Sequence, residues 1–294
     1  MLFYLYVCGF VSLGEVMLKF YKMQANGNDF VILPLWVEVN PDIDIICQIC
    51  DRRLGIGCDQ LLIICPPLNE EQVFFCRIFN SDGTEAFQCG NGARCIALYA
   101  FEKLCPNETS LVFQMGKVVV EATMVSNQVK IGMGVPVFFQ KEDETSIYEY
   151  PSAVERWWPV IRVFLGNSHA IVFNQNLSYD LVGCVAPHLM KAIDPVDGVN
   201  ISFCDVISSS DIRLLTFERG AGLTNGCGSA SCAAVAAGIR AGFLSRRINV
   251  RLLVGELLVE WIDSQKEIFL IGRAYYSFVG DFPANWVEIL TRSA

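Results

Sequence analysis

Short apolar runs dominate the chain. "FFCRIF" (74–79), "LVFQMGKVVVEATM" (111–124), "VKIGMG" (129–134), "IRVFLG" (161–166), "HAIVF" (169–173) and "INVRLLVGELLVEWI" (248–262) are rich in Val, Ile and Phe, and each predicts β structure. Two segments break the pattern. "NGARCIALYAFEKL", starting near Asn91, and "SASCAAVAAGIRAGFL", starting near Ser229, carry Ala, Leu and other small or apolar residues almost all round. A helix with no clear polar face is usually buried, so both read as central helices. The pattern therefore predicts strands wrapped about one helix in each half of the chain.

An internal echo supports two such halves. Cys89-Gly90 and Cys227-Gly228 each stand just before a predicted helix, and each cysteine follows a phenylalanine, Phe79 or Phe217, at the same spacing. Upstream lie Gly27-Asn28 and Gly166-Asn167, and the step from one Gly-Asn to the other equals the step between the cysteines to within one residue. Agreement of this kind suggests a duplicated lobe. The opening "MLFYLYVCGFVSLGEV" is apolar but short for a membrane span, and it lacks a basic leader and a cleavage site. Residues 1–16 read as an extension or a misplaced start, with the first domain opening at Met17.

Composition narrows the partners. The 294 residues are enough for about two domains with full cores. With 22 basic against 31 acidic residues the net charge is −9, and no Lys/Arg run interrupts it, so a nucleic-acid partner is not expected. An anionic ligand must be gripped locally, by backbone N–H groups or single arginines. The 13 cysteines lack the regular spacing of a secreted scaffold, which points to a reducing, cytoplasmic setting. Cys65, Cys76, Cys95, Cys105, Cys184, Cys204 and Cys232, together with Cys8, are expected as small buried hydrophobes. Cys47-x-x-Cys50 with Cys58 and Cys65 downstream leaves a zinc module as a remote alternative, weakened because no second close pair or paired histidine follows.

Cys89 and Cys227 differ from the rest by position. The first turn of a helix has N–H groups without intrahelical partners and a positive dipole end. A thiol there is expected to have a lowered pKa, and a carboxylate can dock on the same groups. Two lobes facing across a cleft would set one thiol on each side of a small carboxylate ligand. That arrangement suits proton exchange at an α-carbon: one thiolate removes the proton, the opposite thiol returns one, and configuration inverts. Both cysteines read equally as buried core.

At these residues the chain resembles diaminopimelate epimerase, a cofactor-independent two-cysteine family. The similarity runs through "NGNDFVIL" (26–33), "CDRRLGIGCDQLLII" (50–64), "FNSDGTEAFQCGNGARC" (79–95), "LGNSHAIV" (165–172) and "FERGAGLTNGCGSASCAAVAAG" (217–238), and it covers the chain from about Met17 onward. The resemblance implies an α+β fold of two pseudo-symmetric lobes, each a barrel-like sheet around a central helix. One lobe would comprise 17–134 plus about 274–294 and carry Cys89; the other would comprise 135–273 and carry Cys227. It implies conversion of L,L- to meso-2,6-diaminopimelate, on the route to lysine and peptidoglycan, without pyridoxal phosphate, other cofactor or metal. Cys89 and Cys227 match the catalytic cysteines. Asn28, Gln60, Asn80, Asn167, Asn200, Glu218 and Arg219 match substrate-binding positions, and Gly90, Asn91, Gly228 and Ser229 match the helix starts that take the α-carboxylate. His169 and Glu218 match polar groups set near the thiols. The expected partner is a small amino acid, with no membrane partner and a homodimer left open.

Five positions depart from the family pattern: Gln24 for His, Ser168 for Pro, Gly198 for Arg, Leu223 for Glu and Arg273 for Pro. They leave open a broader amino-acid racemase of the same superfamily, acting for example on glutamate.

Overall fold

The structure, a computed structural model, describes residues 18–139, 146–149, 157–173, 178–194 and 196–282. Residues 1–16, with Cys8, and the end of the chain from 283 lie outside these described residues.

The same strand sequence occurs twice. In the first half, Leu18–Ala25, Asn28–Pro34, Gln60–Cys65, Phe75–Asn80, Ser110–Met115, Val118–Val125 and Gln128–Gly132 pair in that order, first antiparallel, then parallel, antiparallel, parallel, and antiparallel twice. In the second half, Trp157–Phe164, Ser168–Phe173, Asn200–Ser208, Asp211–Glu218, Arg247–Arg251, Glu256–Glu260 and Phe269–Gly272 pair in the same order with the same senses. The two final strands then pair with each other: Phe269–Gly272 runs antiparallel to Gln128–Gly132 and fuses both halves into one mixed sheet. The strand Tyr275–Phe282 returns to the first half and pairs with Leu18–Ala25. The expected α+β architecture of two related lobes is thus the observed one.

Among the described residues four α-helices accompany the sheet: α1 (Ile43–Cys50), α2 (Gly90–Tyr99), α3 (Tyr179–Ile193) and α4 (Gly228–Arg240). Helices α2 and α4 are the two that the apolar pattern predicts. Ala93, Cys95, Ile96, Ala97, Cys232, Ala233 and Ala236 sit in one continuous core that both lobes share. Small residues all round allow strands to pack on every side of each helix. A π-helical turn, Ala100–Leu104, extends α2.

Helices α1 and α3 were not anticipated. They lie outside the sheet, one per lobe, and each buries a single face: Ile46, Ile49 and Cys50 on α1, and Val182, Val185, Ala186, Leu189 and Ile193 on α3. That spacing follows the helical repeat. Both also carry start signals, since Asp42 accepts from the N–H of Asp44 and Ser178 from that of Leu181. Pro187 inside α3 masks its pattern, and α1 is only two turns long. The expectation for the lesser cysteines needs correcting in part. Cys65, Cys76, Cys95, Cys204 and Cys232 are buried, but Cys105 is half-buried and Cys184 is exposed on the outer face of α3.

One buried charge ties the lobes together. Arg94 on α2 is fully buried, and its Nη2 donates to Asn26 Oδ1 at 2.8 Å and to Asn91 Oδ1 at 2.7 Å. These two asparagines donate onward to the opposite lobe, Asn26 to the carbonyl of Val254 at 3.0 Å and Asn91 to that of Gly226 at 3.1 Å. Burial pushes the guanidinium pKa down to about 10. Replacing Arg94 by Ala takes the donor from the side-chain oxygens of Asn26 and Asn91 and opens a cavity, so Arg94→Ala should lower the unfolding free energy by about 2–4 kcal/mol. Urea titration of the variant beside the unaltered chain measures this, and a midpoint that does not move would contradict it.

Candidate active site

Each candidate thiol stands at the junction of strand-like backbone and helix. Cys89 caps α2 with extended backbone, and its Sγ accepts from the N–H of Gly92 at 3.4 Å. Cys227 stands at the same position before α4 with the same extended backbone but without a side-chain capping hydrogen bond, and its Sγ lies 3.4 Å from Ser229 Oγ. The two helix starts abut. A Cβ added at Gly90 would lie 3.5 Å from Leu270, and one added at Gly228 would lie 2.8 Å from Leu270 and 3.9 Å from Gly90 Cα. At Gly228 the glycine is required because Leu270, on a strand of the seam, fills the space a side chain would need, whereas at Gly90 a Cβ would meet Met133 and Leu270 only at ordinary contact distance.

The Gly-Asn echo has a backbone cause. Gly27 and Gly166 hold φ of +79° and +76°, the left-handed region that favours glycine. Each turn presses on the loop before the other lobe's cysteine: Gly27 faces Asn225, and Gly166 faces the amide of Gln88. The asparagine that follows each glycine is thereby carried to the interlobe cleft.

A cavity of about 530 Å³ opens there. Its wall brings together, from the first lobe, Asn28, Gln60, Asn80, Cys89, Gly90 and Asn91, and from the second, Asn167, Glu218, Cys227, Gly228 and Ser229. Strand register relates several of these as pairs. Gln60 sits opposite Asn80, and Ile201 opposite Phe217, so Gln60 matches Asn200 and Asn80 matches Glu218. Gln60 Nε2 donates to Asn80 Oδ1 at 2.8 Å, and Thr224 Oγ1 donates to Glu218 Oε1 at 2.6 Å. Asn200 and Arg219 line a smaller adjoining cavity of about 160 Å³, which shares Asn167 and Glu218 with the larger one. Asn200 Oδ1 accepts from the backbone N–H of Arg219, whose guanidinium donates to the carbonyl of Asp197 at 2.6 Å.

His169 stands apart from the thiols' cavity wall. It is fully buried behind Asn167, with Nε2 2.6 Å from Asn167 Oδ1, and burial pushes its pKa down to about 3. It is therefore neutral at ordinary pH and reaches the cleft through Asn167.

The expected lowering of the thiol pKa values is overturned. Burial pushes Cys89 up to about 11, against the pull of the Gly92 and Asn91 N–H groups, with the negative charge of Glu218 adding to the rise and Arg94 opposing it. Cys227 is 8% exposed and is held well above the ordinary thiol value by burial first and then by Glu218. Helix N–H groups do favour each thiolate, but here removal from water outweighs them. Cys89 keeps part of its surface open to the cavity, so the upward push is smaller there.

Sequence reasoning missed Asp59, Met133 and Thr224 on the cavity wall, and Arg94 behind it. Asp59 lies inside the block "CDRRLGIGCDQLLII", directly before Gln60, and that adjacency was the available signal. Three of the departures also face the cavities: Leu223 the larger, Ser168 and Gly198 the smaller. Among the described residues no group of three or more His, Cys, Asp or Glu gathers as a metal-ligand set. Cys50 and Cys58 meet as a thiol pair at 3.4 Å, without Cys47 or Cys65 completing a site. No helix among the described residues is long and apolar enough to cross a membrane.

The duplicated-lobe fold is one that solved structures share. A hydroxyproline epimerase from Agrobacterium vitis superposes with a TM-score of 0.68 at 13% identity, covering 94% of each chain. A PhzF-family phenazine biosynthesis protein from Bacillus anthracis does so at 0.62 and 15%, covering 90% of this chain and 99% of its own. At such identities the likeness concerns the fold. Sequence is more specific: the family model described as diaminopimelate epimerase matches residues 20–139 and 162–277. Diaminopimelate epimerases from Acinetobacter baumannii and Blochmanniella pennsylvanica are 36% and 34% identical, covering 93% and 90% of this chain and 100% and 98% of their own lengths. The chain belongs to the diaminopimelate epimerase family.

The unequal burial of the two thiols has a direct readout. On brief treatment of the empty protein with iodoacetamide, Cys89 should alkylate several-fold faster than Cys227, and both rates should still be rising at pH 9, because each thiolate forms only above the ordinary thiol range. Peptide mass mapping over a pH series checks this. Equal rates, or a plateau below pH 8, would contradict it.

Proposed function

We propose that this chain epimerises L,L-2,6-diaminopimelate to the meso form, in lysine and peptidoglycan-precursor biosynthesis, by a two-thiol mechanism without a cofactor. The observation that carries the reading is the meeting of two cysteine-capped helix starts across one cavity. The free N–H groups around Gly90-Asn91 and Gly228-Ser229 would take the α-carboxylate and stabilise charge that moves onto it as the α-proton leaves. One of Cys89 and Cys227, as thiolate, accepts that proton; the other, as thiol, donates to the opposite face.

Glu218 acts electrostatically on both thiols and is the carboxylate best placed to exchange a proton with Cys227. The remaining substrate contacts are assigned to Asn28, Gln60, Asn80 and Asn167 in the larger cavity, and to Asn200 and Arg219 in the smaller, where a planar guanidinium suits a distant carboxylate. His169 supports Asn167 from behind. The reading carries with it a small amino acid as sole partner, a cytoplasmic location, and lobes divided near 134/135 and 273/274. Assembly as a homodimer is compatible with it.

Departures on the cavity walls favour a secondary activity. Gly198 has φ of +70°, and a Cβ there would stand 3.0 Å from Arg219 Cδ, so an arginine at this position would compete with Arg219 for space. With Gly198 for Arg and Leu223 for Glu, fewer polar groups wait for the far end of diaminopimelate, and the missing proline at Ser168 loosens the loop that carries Asn167, which together lessen the penalty for a shorter dicarboxylic amino acid such as glutamate.

Cys89→Ala and Cys227→Ala should each reduce kcat for L,L-diaminopimelate by at least about a thousand-fold with the fold intact, because each face of the α-carbon needs its own acid or base. In deuterated water, product formed early should carry deuterium at the inverted centre while recovered substrate stays nearly unlabelled. Normal turnover by either folded variant would overturn the two-thiol reading. Glutamate inversion no faster than that of the Cys89→Ala blank would remove the secondary activity alone.

A further inference from the structure

We propose that Asp59 is a positioning residue, whose carboxylate fixes the side-chain amide of Asn28 so that its carbonyl, and not its NH2, faces Cys89. Asn28 Nδ2 donates to Asp59 Oδ2 at 2.7 Å. An ionised carboxylate only accepts, so this contact decides which end of the amide is which. The opposite end, Oδ1, then lies 3.7 Å from Cys89 Sγ, where it accepts from the thiol.

Asp59 is itself held at every oxygen that matters. Oδ2 also accepts from the N–H of Asp29, and Oδ1 accepts from Arg52 Nη2 at 2.7 Å. Asp29 in turn accepts from the N–H of Asp59, from both terminal nitrogens of Arg52, and from the buried Lys22 at 2.6 Å. Lys22 donates further to the carbonyl of Gly57. Two carboxylates and two cations thus balance in charge and lock the geometry behind Asn28. The pseudo-symmetric Asn167 is fixed the other way. Its Oδ1 faces His169 Nε2, while His169 Nδ1 finds no partner. A buried N–H without an acceptor costs more than a bare ring nitrogen, so the proton sits on Nε2 and Asn167 accepts it, leaving its NH2 for the cleft. The pair of asparagines therefore offers an acceptor beside Cys89 and a donor in the other lobe. Strand pairing is symmetric across the lobes, but this polarity is not.

The charged groups acting on Cys89 are Glu218, from the strand Asp211–Glu218, and Arg94, from α2; the thiols of Cys76 and Cys95 lie near as well. None of these fixes the Asn28 amide. The inference builds on the reading of Cys89 as a reacting thiol, but its test needs no turnover.

The test is a double-variant cycle on the full chain, read as the alkylation rate of Cys89 against pH by peptide mass mapping. Asp59→Asn frees the Asn28 amide to turn its NH2 onto the sulfur, which should favour the thiolate and raise the rate at pH 8 by about tenfold. In the Asn28→Ala background the same Asp59→Asn change should raise the rate by less than about twofold, since no amide remains to turn. An equal rise in both backgrounds would mean that Asp59 acts by charge alone and would overturn the proposal, as would no rise in either. Should Asp59→Asn not fold, the unaltered protein answers. The Asn28 side-chain amide, assigned by its loss in Asn28→Ala, should show one downfield, slowly exchanging proton by NMR, and two fast-exchanging protons would overturn the assignment.

Discussion

Everything else in the molecule is arranged around one constraint: two helix N-termini must meet nearly head to head. Each carries a positive dipole end, and like ends repel, so the juncture must be held from outside. Three contacts hold it. The strands Gln128–Gly132 and Phe269–Gly272 pair across the seam, Leu270 on that seam packs against both Gly90 and Gly228, and Asn91 donates across to Gly226. What the repulsion costs in the empty protein becomes useful with a ligand, since an anion is favoured by both ends at once. A buried cation, Arg94, on one of those helices reinforces that preference and explains why an acidic chain can still attract a carboxylate.

Duplication accounts for the placement of the site but not for its chemistry. Register relates Gln60 to Asn200 and Asn80 to Glu218, and the turn at Gly27 corresponds to that at Gly166. A strictly symmetric cleft would treat both ends of a ligand alike. Here one lobe puts an amide where the other puts a carboxylate, and the paired asparagines present opposite ends. Arg94 has no charged counterpart either, because the corresponding stretch of α4 is occupied by Cys232 and alanines. Polarity of the cleft is thus set by a few side chains on a common backbone plan.

The sequence announced the parts governed by local rules. Continuous Val, Ile and Phe runs marked the strands, small residues on all sides marked α2 and α4, and repeated Cys-Gly and Gly-Asn marked the turns that bring the halves together. Helices α1 and α3 escaped because Pro187 and short length blurred a one-sided pattern, although Asp42 and Ser178 were readable caps. The pairing of Gln128–Gly132 with Phe269–Gly272 joins segments far apart in the chain and leaves no local trace. Arg94 and Asp59 escaped for a similar reason. An arginine in "CGNGAR" and an aspartate in "GIGCDQ" look like surface charges until the fold closes over the one and locks the other between Asn28 and Arg52.

The raised thiol pKa values then bear on how the cleft can work. With Cys89 near 11, forming its thiolate at pH 7 in the empty cavity costs about 5 kcal/mol, so only about one molecule in ten thousand would hold it. Chemistry through so rare a species would be slow unless binding changes the balance. An amino-acid substrate would shift the balance in part, because its α-ammonium would bring a cation into a cavity where the charge of Glu218 adds to the burial that raises both thiols. Pairing of that ammonium with Glu218 would offset the part of the rise that comes from its charge, and the low-dielectric surroundings that penalise a lone thiolate would strengthen its attraction to a nearby cation. The protonated resting state has its own advantage. Thiolates, rather than thiols, are the oxidisable form, so two facing sulfurs that stay protonated until substrate arrives are protected during the time they spend empty. Burial that opposes the helix dipole at rest is therefore consistent with a cleft that becomes reactive only when filled.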